Sequence, residues 1–373
     1  MFVNDISYTD YSWLKELVAC GRFGPIDHPI DFDPLRVRLT RVLRENSVDL
    51  LPMLFSIGYE EEFCYDRNTL KVQLVDGVVH YSLHSIHNDL IKSLLIQSTD
   101  GPLRTYWRIL CSHLQFSLFF ENSAFKASCS KPLFFVFGDF PRTDQQVLSY
   151  CTNKPNDFCM VDPFFIVSNG YAGLKQKNSS QSSDLLDRRD KIFWRGSASG
   201  VKNNDFMSSQ RFLLCHLAQQ SSFSRMLDFG LINTPPKYLE RVTQEFGHLP
   251  DYLISERVDP EEFANYRYGI DVDGNSNSWG GFYTKMLSRS FLIKIKSLFN
   301  YRQWYYPRIN GEWFLTMAAD LSDYNHVFTK AFELSLAEKQ EKANSLFEFA
   351  MSLDVISEIS LNNEDLRRWL DGQ

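Results

Sequence analysis

Two strand-to-helix junctions carry the residues whose types and spacing could do chemistry. In KIFWRGSASG, residues 191–200, an apolar run ends in Arg195 and is followed at once by Gly196 and Ser197. An arginine and a serine there can bind phosphate oxygens, and a glycine lets a ligand approach the backbone. A strand-end arginine in a surface ion pair beside a glycine turn explains the same letters, and these residues alone leave both readings open. In YRYGIDVDGNSNSWGGFYTKMLSRS, residues 266–290, a second strand meets a Gly/Asn/Ser loop and a helix. Backbone amides and small side chains at such a junction suit a nucleotide diphosphate, with Lys285 supplying charge. The glycine spacing is neither a Walker loop nor a GxGxxG fingerprint.

Asp271 and Asp273, on alternate positions, could hold a divalent ion, or could be buried acids capping the loop that follows. An EF-hand is rejected, because Ser276 stands where its glycine belongs and Phe282 where its bidentate glutamate belongs. Asp139, just past the apolar run PLFFVF, could accept a proton from a hydroxyl if it is ionised and within reach, or could be a turn residue ahead of Pro141. His80, His84 and His87 are spaced for one face of a helix, where core or exposed histidines are the simpler account than zinc. Asp228-Phe229-Gly230 has no kinase context, and no GxSxG or Cys/His nucleophile signature is present.

These residues need a scaffold that brings strand ends together. KPLFFVFGDF, KIFWRG, RMLDFGLI, YRYGIDV and FLIKI read as strands, and SSQRFLLCHLAQQ and GFYTKMLSRS as helices between them. Alternating β and α elements predict an α/β fold with a parallel sheet, whose ligands lie outside the carboxyl ends of the strands. LFFVF, apolar throughout and preceded by Pro132, is expected to be a parallel strand covered on both faces. Residues 85–120 read as helical, the region between RMLDFGLI and YRYGIDV as turn-rich, and the polar, serine-rich stretch 168–190 as a domain connection. The resulting division is 1–170 with its lead-in segment, 171–345, and a helical tail from 346 to 373.

Composition narrows the classes. The chain has 373 residues, 44% hydrophobic and 23% charged, with 31 Phe and 17 Tyr, which suits a packed globular protein. A net charge of −7 excludes a broad phosphate-tracking surface, so nucleic acid is not an expected partner and any anion site must rest on a few placed cations. Seven scattered cysteines without a CxxC pair predict reduced thiols and a cytoplasmic protein. Neither a secretory signal nor an apolar run of roughly 18 residues is read, so contact with a membrane is expected to be peripheral at most.

GDFPR, FWRGSASG, a helix beginning QRFLL, YRYGIDVDGNSNSWGGFYTKML, SLFNYRQWYYPRI and ADLSD follow one another over roughly residues 130 to 350. In order and spacing this set resembles glycosyltransferase family 90, which includes capsule-associated, lipopolysaccharide-modifying and protein O-glucosyltransferases. The resemblance implies a GT-B architecture, two Rossmann-like domains facing a cleft. It also implies inverting transfer of a sugar from a nucleotide-diphosphate donor, such as a UDP-sugar, to a glycan hydroxyl, with no cofactor and no obligate metal. It makes residues 1–170 the acceptor side and 171–345 the nucleotide-sugar side.

Carried over residue by residue, the resemblance makes Asp139 the catalytic base and Ser197, beside Arg195 and Gly196, a donor contact. Arg211 becomes the phosphate-binding arginine, and Asp273, Gly274, Ser278 and Lys285 belong to the pocket-forming loop and helix. Two positions depart from the pattern: Tyr283 replaces an arginine, and the segment at Trp313 lacks its histidine. The acceptor implied is lipopolysaccharide or another surface glycan, met at the inner face of the membrane. Two alternatives remain: a metal-dependent transferase using Asp271 and Asp273, and a glycan-binding or assembly protein of the same fold without catalysis.

Overall fold

The computed structural model describes residues 58–60, 68–76, 78–84, 108–109, 111–112, 115–116, 119–120, 131–181, 184–200 and 208–372. The chain divides into two compact units. The first holds residues up to Ala172 with Arg302–Trp304 and Asp354–Gln373, and the second holds Gly173–Tyr301 and Tyr305–Leu353. The stretch read as a tail from 346 falls in two helices, Leu336–Ser352 in the second unit and Val355–Asp371 in the first.

In the first unit the strands are β1 (Gly58–Glu60), β2 (Thr69–Val75), β3 (Val78–His84), β4 (Leu133–Val136), β5 (Leu148–Ser149) and β6 (Phe158–Cys159). Their order is β1-β3-β2-β4-β5-β6. β4, β5 and β6 are parallel, and β2 runs against both β3 and β4. β4 is therefore parallel to one neighbour only. Its apolar letters reflect burial, since Leu133, Phe135 and Val136 are buried, rather than an all-parallel setting. β2 and β3 form a hairpin whose turn residue Asp76 has φ +51°. His80 and His84 lie on β3, so the helical face expected of them does not exist, and His87 lies outside the described residues.

Past β6, Asp162 caps helix α1 (Pro163–Val167) through the amides of Phe164 and Phe165. The last helix of this unit, Val355–Asp371, returns to the same sheet. Its Asn362 donates to the Cys159 carbonyl and its Trp369 to that of Asn156. The expected helix at 89–95 lies outside the described residues. Those described between 108 and 120 are helical.

The second unit opens with α2 (Ala172–Ser179), most of which belongs to it, and carries β7 (Arg189–Ser197), β8 (Leu227–Ile232), β9 (Tyr266–Asp271), β10 (Phe291–Ile295) and β11 (Leu315–Met317). All are parallel, in the order β11-β10-β9-β7-β8. Counted from its own first strand this is the doubly wound order 2-1-3-4-5, so the α/β class expected from the sequence is the one found. Helices α3 (Gln210–Gln220), α4 (Pro236–Phe246), α5 (Gly280–Leu287), α6 (Tyr324–Glu333) and α7 (Leu336–Ser352) complete the unit, and Val355–Asp371 is numbered α8.

The core follows the two-residue period of the strands. Ile192, Trp194, Tyr268 and Ile270 join Phe212 and Cys215 of α3 in one buried cluster. α4 occupies part of the stretch read as turn-rich: its Pro235-Pro236 opening is a helix start, and Gly247 ends it at φ +75°.

Candidate functional site

In a doubly wound sheet of this order the ligand crevice lies where the strand order reverses, between the first and third strands. Here that is the gap at the carboxyl ends of β7 and β9. The loop after β7 and the loop after β9 meet there, and Arg211, one residue into α3, ties them together. Its Nε donates to the Asp273 carbonyl at 2.9 Å. Its Nη1 donates to the Ser197 carbonyl at 3.0 Å, to Ser197 Oγ at 3.2 Å and to Ser199 Oγ at 2.7 Å. Nη2 reaches the Val272 carbonyl at 3.3 Å.

Of the five N–H groups of a guanidinium this leaves one on Nη2 without a partner among the described residues. Burial pulls the Arg211 pKa down, against the opposing pull of Asp271 and Asp273. Gly274 makes the arrangement possible: a Cβ there would stand 2.9 Å from Ser199 Oγ and 3.0 Å from Arg211 Nη2.

Behind this edge lies a buried ion cluster. Asp271, the last residue of β9, is 0% exposed. Lys285 Nζ donates to its Oδ1 at 3.0 Å, and Lys294 Nζ and Ser278 Oγ donate to its Oδ2 at 2.7 and 3.1 Å. Burial pushes this carboxyl's pKa up, but the two ammonium groups outweigh burial and hold it well below the usual carboxylate range. Lys285, expected as free positive charge, is 7% exposed and also bonds the Gly281 carbonyl. Burial lowers its pKa, and Asp271 opposes that.

Asp273 is 7% exposed, and its Oδ2 has no hydrogen-bond partner among the described residues. The same holds for Ser276 Oγ and Asn277 Nδ2, further along this loop. Trp279, at the junction with α5, has φ +50°, a strained value for a non-glycine residue that costs on the order of 1–3 kcal/mol. No side chain caps α5, whose first-turn amides face the same loop end.

Two expected contacts, Arg195 and Gly196, make contacts within the sheet, and the two departures from the family pattern pack inward. Arg195 lies inside β7, its Nη2 2.6 Å from Asp228 Oδ1 and its Nη1 2.8 Å from the Asp228 carbonyl, with its guanidinium over the Phe193 ring. The ion pair is present, but inside the strand and largely buried, not on the surface at a glycine turn. The ladder explains it, because β7 sets Phe193 opposite Asp228 and Arg195 opposite Gly230. Gly196 is also within β7. A Cβ on it would meet the Trp194 indole at 2.4 Å, so its small size serves ring packing. Tyr283 is buried and donates to the Ala350 carbonyl at 2.5 Å, which directs it toward α7. At the second departure, Trp313 sits beside the Phe349 ring and Phe314 edges onto Phe282.

In the first unit Asp139 follows β4 by three residues. Arg108 Nη2 donates to its Oδ1 at 3.0 Å and Arg108 Nη1 to the Phe137 carbonyl at 3.2 Å. The carboxyl is 38% exposed, and its Oδ2 has no partner among the described residues. It is an oriented acid with one oxygen open.

Sequence reasoning missed Lys294, Ser199 and Ser297. A single lysine in the otherwise apolar FLIKI was the available signal, since β10 sets Lys294 directly opposite Asp271. Among the described residues no group of three or more His, Cys, Asp or Glu is placed to hold a metal ion, and no helix is long and apolar enough to cross a membrane.

No protein-family model matches the chain, and no curated protein sequence matches it. Similar solved structures include WaaG, a glycosyltransferase involved in lipopolysaccharide biosynthesis, at 14% identity and TM-score 0.32 over 55% of this chain and 52% of that one. Anabaena HepE in complex with UDP-glucose is 12% identical, with TM-score 0.34 over 52% and 51%. A UDP-forming α,α-trehalose-phosphate synthase from Burkholderia vietnamiensis is 13% identical, with TM-score 0.35 over 53% and 49%. The chain spans about half the length of these proteins.

Proposed function

We propose that the protein is an inverting glycosyltransferase that moves a sugar from a nucleotide-diphosphate donor, such as a UDP-sugar, to a hydroxyl of a glycan. The observation that carries this reading is the gathering of Arg211, Ser197, Ser199 and Gly274 at the switch point of the doubly wound sheet. Arg211 binds the diphosphate and offsets charge that grows on it as the glycosidic bond breaks. Its ties to four residues of the two loops fix its position beforehand. Ser197 and Ser199 supply hydroxyls, and the uncapped start of α5 supplies amides. Arg195 has no part in this scheme, since Asp228 holds it.

Asp139 is the base that removes the proton from the acceptor hydroxyl as it attacks the anomeric carbon from the side opposite the leaving diphosphate. Arg108 orients the carboxylate through Oδ1, which leaves Oδ2 for the hydroxyl. A metal on Asp271 and Asp273 is not supported, because two ammonium groups and a serine hydroxyl already occupy the Asp271 oxygens. The acceptor assigned is lipopolysaccharide or another surface glycan, reached from the cytoplasmic side.

Purified protein screened by thermal shift against nucleotide sugars should be stabilised selectively by its donor, about 2.7 kcal/mol at a hundredfold excess over Kd. Transfer to a glycan acceptor in EDTA then completes the test. Stabilisation without transfer or donor hydrolysis would turn the reading into a binding protein, and no stabilisation by any nucleotide sugar would remove it.

A further inference from the structure

Asp271 and Asp273 leave the same strand end two residues apart and meet different surroundings. Asp271 takes both lysines. Asp273 takes neither as a hydrogen-bonded partner, and Arg211 spends its Nε on the Asp273 main-chain carbonyl instead of the carboxylate. Ser297, just past β10, lies near enough to oppose the effect of burial on this carboxyl, and Oδ2 is left buried and unpartnered among the described residues.

The charged groups acting on it are Lys294 from β10, Asp271 from β9 and Arg211 from α3, and Lys285 from α5 completes the cluster through Asp271. Burial is the largest influence on Asp273 and raises its pKa. The neighbouring Asp271 adds to this, and Lys294, Ser297 and Arg211 oppose it without cancelling it. Two carboxylates against three cations leave this cluster a net charge of +1, and a proton on Asp273 makes it +2.

We propose that capture of a nucleoside diphosphate sugar at the ends of β7 and β9 is coupled to uptake of one proton from solvent onto Asp273. The inference rests on the reading of this edge as the diphosphate site. The diphosphate brings two negative charges to a cluster whose least compensated member is this carboxyl, and one proton removes the repulsion at the group with a free buried oxygen. The O–H bond forms on Asp273 as the ligand enters, and the proton returns to solvent when the nucleotide leaves. Between the titration points of free and liganded protein, affinity therefore falls about tenfold per pH unit as pH rises.

The test is calorimetry of UDP-glucose binding in MES, PIPES and imidazole at one pH between 6 and 7. UDP-glucose is a diphosphate diester and has no titrating group in that range. The wild-type protein should show a binding heat that varies with the ionisation enthalpy of the buffer, corresponding to uptake of up to one proton per ligand. Asp273→Asn, which has no carboxyl to titrate, should show none. Buffer-independent heats for the wild type, or uptake retained in D273N, overturn the proposal. If D273N does not fold, the wild-type buffer series alone decides.

Ligand-free melting separates the two levels of the argument. A raised folded-state pKa means that stability falls as pH climbs from the ordinary value of 3.8 through the folded one. D273N should then melt above wild type at pH 7 and converge with it below pH 4. A difference that does not change with pH overturns the role of Asp273. Convergent melting curves with no UDP-glucose binding under any condition overturn the donor-site reading, and the linkage with it.

Discussion

The indole of Trp194 lies where a side chain on Gly196 would have to go, 2.4 Å from the ideal Cβ position. Both residues sit on one face of β7, in the middle of the second unit's core, and the indole is almost fully buried. Gly196→Ala must displace that ring, and overpacking of this kind costs about 1–3 kcal/mol. Urea unfolding of the variant should show a lower midpoint with an unchanged slope, and an unchanged midpoint would mean that the ring has room to move.

Losing the Arg211 guanidinium should be costly for function. Arg211→Lys keeps a positive charge but cannot span Ser197, Ser199 and Asp273 at once. We expect transfer to slow on the order of 10²–10³-fold, the scale of losing one preorganised electrostatic donor. Steady-state kinetics with a saturating acceptor would check this, and a variant within threefold of wild type would show that the fork geometry is not used.

Asp271→Asn removes the only carboxylate hydrogen-bonded to Lys285 and Lys294 among the described residues. Breaking a buried ion cluster on one side leaves unpaired buried charge and costs about 3–5 kcal/mol. The pH dependence follows from the lowered pKa of Asp271. Its contribution is present above the ordinary carboxylate value of 3.8 and is lost as pH falls below it toward the folded value. Melting curves from pH 7 to pH 2.5 should show an acid-side decline in wild type that is weaker in D271N.

Asp139→Asn should separate binding from chemistry. The amide still fits beside Arg108 but cannot take a proton from the acceptor. Donor affinity should stay within about twofold while kcat falls by the 10²–10⁴-fold typical of general-base loss. Full transferase activity in D139N would remove the base assignment.

The cysteines offer a check on packing. Burial pushes the Cys215 thiol up to about 12 and Cys159 up to about 11, and Cys111 further still. Cys111 and Cys215, both buried, should resist iodoacetamide at pH 8 in the native protein and react once urea unfolds it. Mass spectrometry of tryptic peptides would report each site, and rapid native labelling of Cys215 would contradict its burial.

The second unit was largely legible because its strands are apolar runs separated by helices with their own period. RMLDFGLI, YRYGIDV and FLIKI fall on β8, β9 and β10. α4 was hidden because Pro235-Pro236 reads as a turn until the first proline is seen to precede a helix and the second to open it. The hairpin of β2 and β3 was legible in principle from Asp76-Gly77 between alternating runs, and the histidine spacing obscured it.

Within the candidate site, residue type singled out Arg195, whereas the arginine that ties the two loops is Arg211, named only through the family resemblance. Nothing local to FWRGS shows that Asp228, 33 residues away, will arrive beside Arg195 on the neighbouring strand. The same holds for Lys294 and Asp271, 23 residues apart. Pairings across a parallel ladder depend on strand order, which letters along one strand do not contain.

The first unit is assembled from three separate stretches of chain, and this shapes how the polypeptide is born. Gln303 reaches back to Asp162, Trp304 to Glu358, and Trp369 to Asn156, all within that unit. A ribosome therefore has to finish the whole intervening domain before the earliest sheet receives its closing helix. Severing the chain after residue 353 deprives the opening half of its lid of packing, while the Gly173–Leu353 stretch keeps every strand of its sheet.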